Sequence, residues 1–464
     1  MKLDKIYSNS PVWMQNIGVS LYGYRWQRRR FGGIFNDELG LFKNRERFTL
    51  QQWEEYQIRA LRKLLVHSFE TVPFYNKKYK EAGFDIRRLK NFGLNDLQYL
   101  PYLEKDELRK FGTSTLVSSK RERGGEFYAS SGSTGTPTQI LFSNAMHQRW
   151  SAAFEARIRN WAGLSRFDER GMIGGRRVVK DGISNGPFYR YNLFEKQVYF
   201  SAYHIAASTA QDYLKGIKKY DVKYMTGYAM SNFFLARFIE EMNFQAPTLK
   251  AVITSSEKLT HEMRDTFTRV YQCKTYDSYS GVEACGLISE CEAGSLHISP
   301  DVGIFEIIKE DGTPCKAGET GEVVSTGLIN YDQPLIRYRI GDLVRLSNQQ
   351  SCKCGRDMPI VDEIIGRIED IVIGKDGREI VRFHGIFIGL DSIIEGQIIQ
   401  HKLDEFEVKV VVANELMQEQ KNIIEKRMSS QLGEIKLAIH EVPFIPRNAN
   451  GKFKSVISKI KRNG

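Results

Sequence analysis

The chain has 464 residues, 41% hydrophobic and 27% charged. At about 100–200 residues per domain that length makes two to four domains, and the balance excludes a disordered or collagen-like chain. Lys and Arg outnumber Asp and Glu by 67 to 56, a net charge of +11, which suits anionic small molecules or an acidic surface. No RNA-binding aromatic strand motif or paired zinc-finger array is present, so no nucleic-acid partner is expected.

The N-terminus lacks the apolar core and cleavage site of a signal peptide, and no window of about 18 apolar residues spans a bilayer, so a cytoplasmic protein is expected. Pro11 to Arg30 carries Trp13, Met14, Ile17, Val19, Leu21, Tyr22 and Trp26, followed by arginines. It reads as a segment that either packs on its own domain or contacts a membrane surface peripherally. Residues 48–82 read as helical, with Leu61, Leu64, Leu65 and Val66 at helical spacing. A charged loop-and-helix region follows around 86–112.

From Phe127 a short strand enters a Gly/Ser/Thr loop, then a second strand and a helix from Asn144. Residues 211–242 read as helical. LKAVITSS at 249–256 reads as a buried strand, HEMRDTFTRVY as a helix and KTYDSYSGVEA as a strand and turn. This alternation predicts an α/β fold with parallel strands whose C-terminal ends share one edge. Residues 296–346 read as short antiparallel strands with tight turns. From about 370 the pattern is a strand pair, a helix, the strand EFEVKVVVAN, a helix at 417–432 and a last strand with a basic tail, together a small α+β domain.

Four segments carry chemistry. In Ser130-Ser131-Gly132-Ser133-Thr134-Gly135-Thr136-Pro137-Thr138 small residues let backbone N–H groups approach a polyphosphate and hydroxyls add donors; the bland alternative is a plain Ser/Gly turn. Asp277-Ser278-Tyr279-Ser280-Gly281-Val282-Glu283 follows a strand, and its terminal carboxylate suits Mg²⁺ bridging phosphate oxygens; a solvated turn glutamate is the alternative. Asp342 and the run Gly366-Arg367-Ile368-Glu369-Asp370 lie at strand ends, where an Asp accepts from both hydroxyls of a ribose. Pro446 to Lys452 presents a lysine after an Asn-Gly turn, suited to charge developing on an α-phosphate; a solvated surface lysine is the alternative. Separately, Cys291, His297, Cys352 and Cys354 form a tetrahedral Zn²⁺ set if they converge; without an open position the ion is structural.

In order and spacing, YASSGSTGTPT, VITSSEKL, YDSYSGVEACG, GEVVSTGLINYDQPLIRYRIGDL, GRIEDIVI and PRNANGK resemble the signatures of the adenylate-forming superfamily. The resemblance is nearest to its phenylacetate–CoA ligase branch and covers the chain from about residue 60 onward; the N-terminal segment resembles the CapK-like subgroup found with capsule and exopolysaccharide synthesis genes. The resemblance implies a helical extension over 1–90, an ATP- and acyl-binding α/β core with a β-rich subdomain over 91–368, and a mobile α+β lid over 369–464. It implies that Ser131, Gly132, Ser133, Thr134, Gly135 and Thr136 hold the ATP phosphates, and that Ser255, Ser256 and Glu257 flank adenine and the acyl pocket. Asp277, Ser278 and Tyr279 would line the adenine, Glu283 would bind Mg²⁺, and Asp342 and Arg367 would hold the ribose. Glu369 would be the hinge and Lys452 would serve adenylation. By position, Tyr203, His204, Tyr228 and Ser256 line the acid pocket. The activity implied is activation of a small carboxylic acid as acyl-AMP, then transfer to CoA or an amine. Two positions depart from the family pattern: Val282 precedes the motif glutamate where Thr or Ser is usual, and Ser280 follows Tyr279 where Gly is usual. A basic zinc protein that binds nucleotide or anionic polymer without catalysis is the alternative.

Overall fold

A computed structural model describes residues 2–129, 137–180, 185–367, 372–374, 379–380, 386–387, 390, 392–447 and 453–460. The expected phosphate loop from Ser130 to Thr136, Glu369 and Lys452 lie outside the described residues. The chain forms two compact units, Met1–Ile340 with Val344–Ile364, and Gly341–Leu343 with Ile365–Gly464.

The first unit opens with helices α1 (Lys2–Asn9), α2 (Val12–Phe31), α3 (Phe35–Arg45), α4 (Leu50–Thr71), α5 (Pro73–Glu81) and α6 (Lys105–Phe111). A capping box starts α4: the Thr49 hydroxyl accepts from the Gln52 N–H at 3.3 Å and the Gln52 side chain accepts from the Thr49 N–H at 2.9 Å. Its Leu61, Leu64 and Leu65 are fully buried, and Pro73 opens α5 where its missing N–H costs nothing. A buried charge network ties this helical segment to the sheet. Asp301 accepts from Arg45 at 2.8 Å and Arg157 at 3.0 Å, and Arg157 reaches Glu46 at 2.7 Å.

The hairpin β1 (Glu126–Ala129) and β2 (Gln139–Phe142) flanks the Ser/Gly segment, and α7 (Asn144–Phe154) follows, capped by Ser143. Then come β3 (Arg170–Gly174), β4 (Tyr189–Asn192), β5 (Gln197–Ser201), α8 (Ala210–Lys219), β6 (Tyr224–Tyr228), α9 (Ala229–Glu241), β7 (Ala251–Ser255), α10 (His261–Tyr271) and β8 (Lys274–Ser280). Strands β9 (Leu287–Glu290), β10 (Leu296–Ile298), β11 (Gly303–Ile308), β12 (Thr320–Gly327), β13 (Tyr338–Leu346) and β14 (Ile360–Arg367) complete one sheet, ordered β11-β12-β13-β14-β10-β9-β8-β7-β6-β3-β5-β4. Strands β5, β3, β6, β7 and β8 are mutually parallel, and the sheet turns antiparallel between β8 and β9.

The stretch 211–242, expected to be helical, is two helices with strand β6 between them. Tyr224 and Met225 are buried between β3 and β7. A strand covered on both faces lacks the polar alternation that would mark it, so its apolar run merges with the flanking helical pattern.

In the second unit β15 (Val372–Ile373) pairs with β16 (Glu379–Ile380), and β17 (Ile393–Lys402), β18 (Glu405–Val412), β19 (Lys436–Glu441) and β20 (Val456–Ser458) form a sheet ordered β19-β18-β17-β20. Helix α11 (Gln418–Leu432) buries Ile424 and Met428 with Ile398, Phe406 and Val408. The helix expected before EFEVKVVVAN is instead strand β17 at 393–402. Its register with β18 puts Ile398 opposite Val408, an apolar pairing that prevails over any local helical preference.

Candidate active site and metal centre

Five parallel strands end on one edge, and most of the described candidates stand there. Ser255 ends β7, and the chain then turns at Ser256 with φ +69°. A non-glycine residue in that region costs on the order of 1 kcal/mol, which the surroundings must supply. The turn delivers Glu257, whose carboxylate accepts from the Met230 N–H at 2.9 Å at the positive start of α9. Tyr228, at the end of β6, has its hydroxyl pushed up to about 12 by burial and then by Glu257. On β5 and just beyond it, the Ser201 hydroxyl lies 2.8 Å from His204 Nδ1, and the His204 ring stacks on Phe188 at 4.9 Å. The Tyr203 hydroxyl donates to the Gly175 carbonyl at 3.2 Å, under the Arg177 guanidinium. Tyr203, His204 and Ser256 therefore follow the ends of parallel strands, and Tyr228 is the last residue of one.

On β8, Asp277 and Tyr279 alternate with Ser278, so they share one face. Ser278 is buried and donates to the Thr254 carbonyl at 2.9 Å. Glu290 on β9 accepts from the Asp277 N–H at 2.7 Å and holds Arg264 at 2.8 Å. Burial, then the Glu290 charge, pushes Asp277 up to about 7. The sequence reading missed Glu290 and Arg264 as partners, because only the β8–β9 pairing brings them to the strand.

Glu283 follows β8 in a turn where the Ala284 N–H donates to the Gly281 carbonyl at 3.2 Å. Its Oε1 accepts from the Thr138 hydroxyl at 3.3 Å. Thr138 is buried and lies at the end of the Ser/Gly segment, so this bond joins the two strongest sequence motifs. A Cβ on Gly281 would stand 2.5 Å from Glu283 Oε2, so only glycine leaves the carboxylate its position. A single carboxylate is the kind of protein ligand that Mg²⁺ takes beside phosphate oxygens and water, so Glu283 fits that ion. Asp342, expected at a strand end, lies instead within β13, which continues past it to Leu346, and Arg367 ends β14; both residues belong to the second unit.

Cys291, His297, Cys352 and Cys354 offer one donor atom each, all within 4.8 Å of one another. Cys291 Sγ lies 3.6 Å from Cys352 Sγ, and Cys354 Sγ lies 3.4 Å from His297 Nε2. A tetrahedral Zn²⁺ at about 2.3 Å from each sulfur sets its donors roughly 3.5–3.8 Å apart, so the set fits. His297 Nδ1 lies 3.1 Å from the Met358 carbonyl, which directs Nε2 to the ion position. Gly355 turns with φ +76°, letting the Cys354 N–H face Cys352 Sγ at 3.5 Å. The turn Cys291–Ser295 and strand β10 supply one half and the 352–355 turn the other, with Trp161 edge-on to His297 at 5.9 Å.

Residues 372–459 match the family described as the CapK C-terminal domain. Protein CapK of Staphylococcus aureus is 26% identical over 475 residues, covering 99% of this chain and 100% of that protein. The phenylacetate-coenzyme A ligase of Thermus thermophilus is 26% identical over 393 residues, covering 78% of this chain and 82% of the ligase. A crystal structure of 2-hydroxyisobutyryl-CoA ligase in the postadenylation state superposes with a TM-score of 0.71 at 20% identity, covering 89% of this chain and 91% of that one, and shows the same fold. Over most of its length the chain is thus similar to CapK and to the phenylacetate-coenzyme A ligases, and its fold is that of the 2-hydroxyisobutyryl-CoA ligase.

Proposed function

We propose that the protein is an AMP-forming acid ligase. A carboxylate attacks the α-phosphate of ATP, pyrophosphate leaves, and the acyl-AMP passes its acyl group to CoA as a thioester. The observation that carries this reading is the joining of the Ser/Gly segment to Glu283 through Thr138, on the edge where Ser255, Ser256, Glu257 and Tyr279 also stand. The relatives named as CoA ligases support it.

In this reading Ser131 to Thr136 receive the phosphates through backbone N–H groups, Tyr279 covers the adenine and Asp342 with Arg367 takes the ribose. Tyr203, His204, Tyr228 and Ser256 line the acid's side; the Ser201 hydrogen bond fixes which His204 nitrogen faces the substrate. Glu283 holds Mg²⁺, which when bound neutralises phosphate charge. Lys452 stabilises charge developing at the α-phosphate. The four-ligand Cys/His set holds a structural Zn²⁺. CapK likeness over 99% of the chain supports a place in capsule or exopolysaccharide synthesis in the cytoplasm, where an amine on a sugar or amino acid is the alternative acceptor to CoA.

Pyrophosphate release from ATP with a panel of carboxylic acids tests the reading, and mass spectrometry of the retained acyl-AMP names the acid. Glu283→Gln is expected to slow release by on the order of 10²–10³-fold, the effect of removing one preorganised electrostatic group. If no acid supports release, or if Glu283→Gln and Lys452→Ala leave it unchanged, the protein is a nucleotide- or polymer-binding relative that has lost catalysis.

A further inference from the structure

Helix α2 is seated by its polar side. Gln15 is buried against the Arg190 guanidinium, and the Asn16 side-chain Oδ1 accepts from the Tyr191 N–H at 3.0 Å. The Ser20 hydroxyl accepts from the Leu193 N–H at 3.2 Å, and Gly23 presses so closely on Asn192 that a Cβ would meet its side chain. Arg30 pairs with the buried Glu195. The opposite side, at spacings of three and four residues, carries Trp13, Ile17, Leu21 and Tyr24, with Met14 beside them. Trp13 and Leu21 keep 63% and 64% of their surface exposed, which inverts the usual orientation of an amphipathic helix.

The apolar face does not stop at the helix. The Phe194 ring lies 5.0 Å from Tyr24, and Leu193 beside it is exposed, so the β4–β5 turn extends the same surface. Exposed apolar residues scattered singly need no explanation, whereas a contiguous stripe marks a contact surface. The charge that the helix itself brings to this face is of one sign. The α2 sequence contains no Asp or Glu, and Arg25 and Arg28 point outward among the apolar residues. Arg28 lies over the Tyr24 ring at 4.7 Å, and Arg25 is 77% exposed although it reaches Glu126 at 2.9 Å. Aromatic rings and aliphatic side chains interleaved with arginines match the boundary between lipid headgroups and acyl chains, where each ring has one apolar and one wet side. A dry protein–protein core, in contrast, is depleted of charge.

We propose that the outward face of α2, extended by Leu193 and Phe194, is a docking surface for an anionic lipid membrane. Trp13, Ile17 and Leu21 enter the headgroup boundary, and Arg25 and Arg28 meet the lipid phosphates. No helix among the described residues is long and apolar enough to cross a membrane, so the contact is a shallow one. It is independent of the ligase reading, because none of these residues belongs to the active edge.

The test is co-sedimentation of the full chain with vesicles of equal parts phosphatidylglycerol and phosphatidylcholine, and with phosphatidylcholine alone. Binding is expected to the anionic vesicles and to weaken with added salt. The triple variant Trp13→Ser, Ile17→Ser, Leu21→Ser, changing only exposed side chains, is expected to lose affinity by on the order of tenfold or more. Arg28→Gln alone is expected to lose about fivefold, the effect of one basic residue near an anionic surface. Circular dichroism and pyrophosphate release report that both variants remain folded. Undetectable binding of the natural sequence, equal binding by the triple variant, or equal binding to neutral vesicles overturns the proposal. So does light scattering that shows a dimer in the natural sequence and a monomer in the triple variant, which makes the face a contact between two copies.

Discussion

Replacing Cys354 by Ser removes one donor from the Cys/His set and should remove its ion. The magnitude follows from what the ion joins. Cys291 and Cys352 are 61 positions apart, and Cys354 and His297 are 57 apart. A cross-link closing a loop of about 60 residues removes roughly 4 kcal/mol of unfolded-chain entropy, and the buried donors add a further penalty when the ion goes. Cys291 and Met358 pack with Trp53 of α4 and Trp161, so the loss reaches the helical segment as well as the β10 and 352–355 turns. Elemental analysis should find about one zinc per chain in the natural protein and almost none in Cys354→Ser. Urea unfolding followed by tryptophan fluorescence should show the variant less stable by about 2–4 kcal/mol, with Trp161, 5.9 Å from His297, reporting the site directly. A chelator should bring the natural protein to the variant's curve. Natural protein purified without zinc, or an unchanged urea midpoint in the variant, refutes the reasoning and leaves four reduced side chains packed together.

Three further outcomes follow from the geometry. Gly281→Ala should displace the Glu283 carboxylate, whose Oε2 lies 2.5 Å from the new Cβ, and so lower pyrophosphate release at least tenfold while the melting temperature stays within about 3 °C; undiminished release counts against Glu283 as a working group. Asp277 has its pKa raised to about 7 from 3.8, so the folded state binds the proton more tightly than the unfolded one. Its stabilising effect is present below about pH 4 and lost as pH rises through about 7. Asp277→Asn should therefore gain stability relative to the natural protein between pH 5 and pH 8, and parallel melting curves at the two pH values would contradict this. Asp301→Ala leaves the buried Arg157 with Glu46 as its remaining carboxylate and removes the partner of Arg45, so unfolding should become easier by about 3 kcal/mol in urea; a change under about 1 kcal/mol would show that water replaces the carboxylate.

The chemistry of this protein was legible wherever it is written in a short run of residues. DSYSGVE closes strand β8 and the Cys-Lys-Cys-Gly run turns at Gly355, so both conformations are set within a few residues, while the order of the six quoted segments along the chain carried the resemblance to the adenylate-forming superfamily. The four Cys/His donors were named from residue type and the Cys-Lys-Cys-Gly run, but their convergence depends on β10 pairing with both β9 and β14. Strand β6 and strand β17 were not legible, because burial on both faces and pairing to distant strands fix them rather than any local period. The Glu290–Arg264 pair behind Asp277 and the Thr138–Glu283 bond join residues far apart in sequence, and no local signal announces them. The composition of α2 likewise showed an apolar and basic segment but not which side faces out. That was decided by Arg190, Tyr191 and Asn192, whose polar groups take Gln15, Asn16 and Gly23 and leave Trp13, Ile17 and Leu21 to the surface. A segment's own residues set what it can bury; its neighbours' unsatisfied polar groups set which side it does bury.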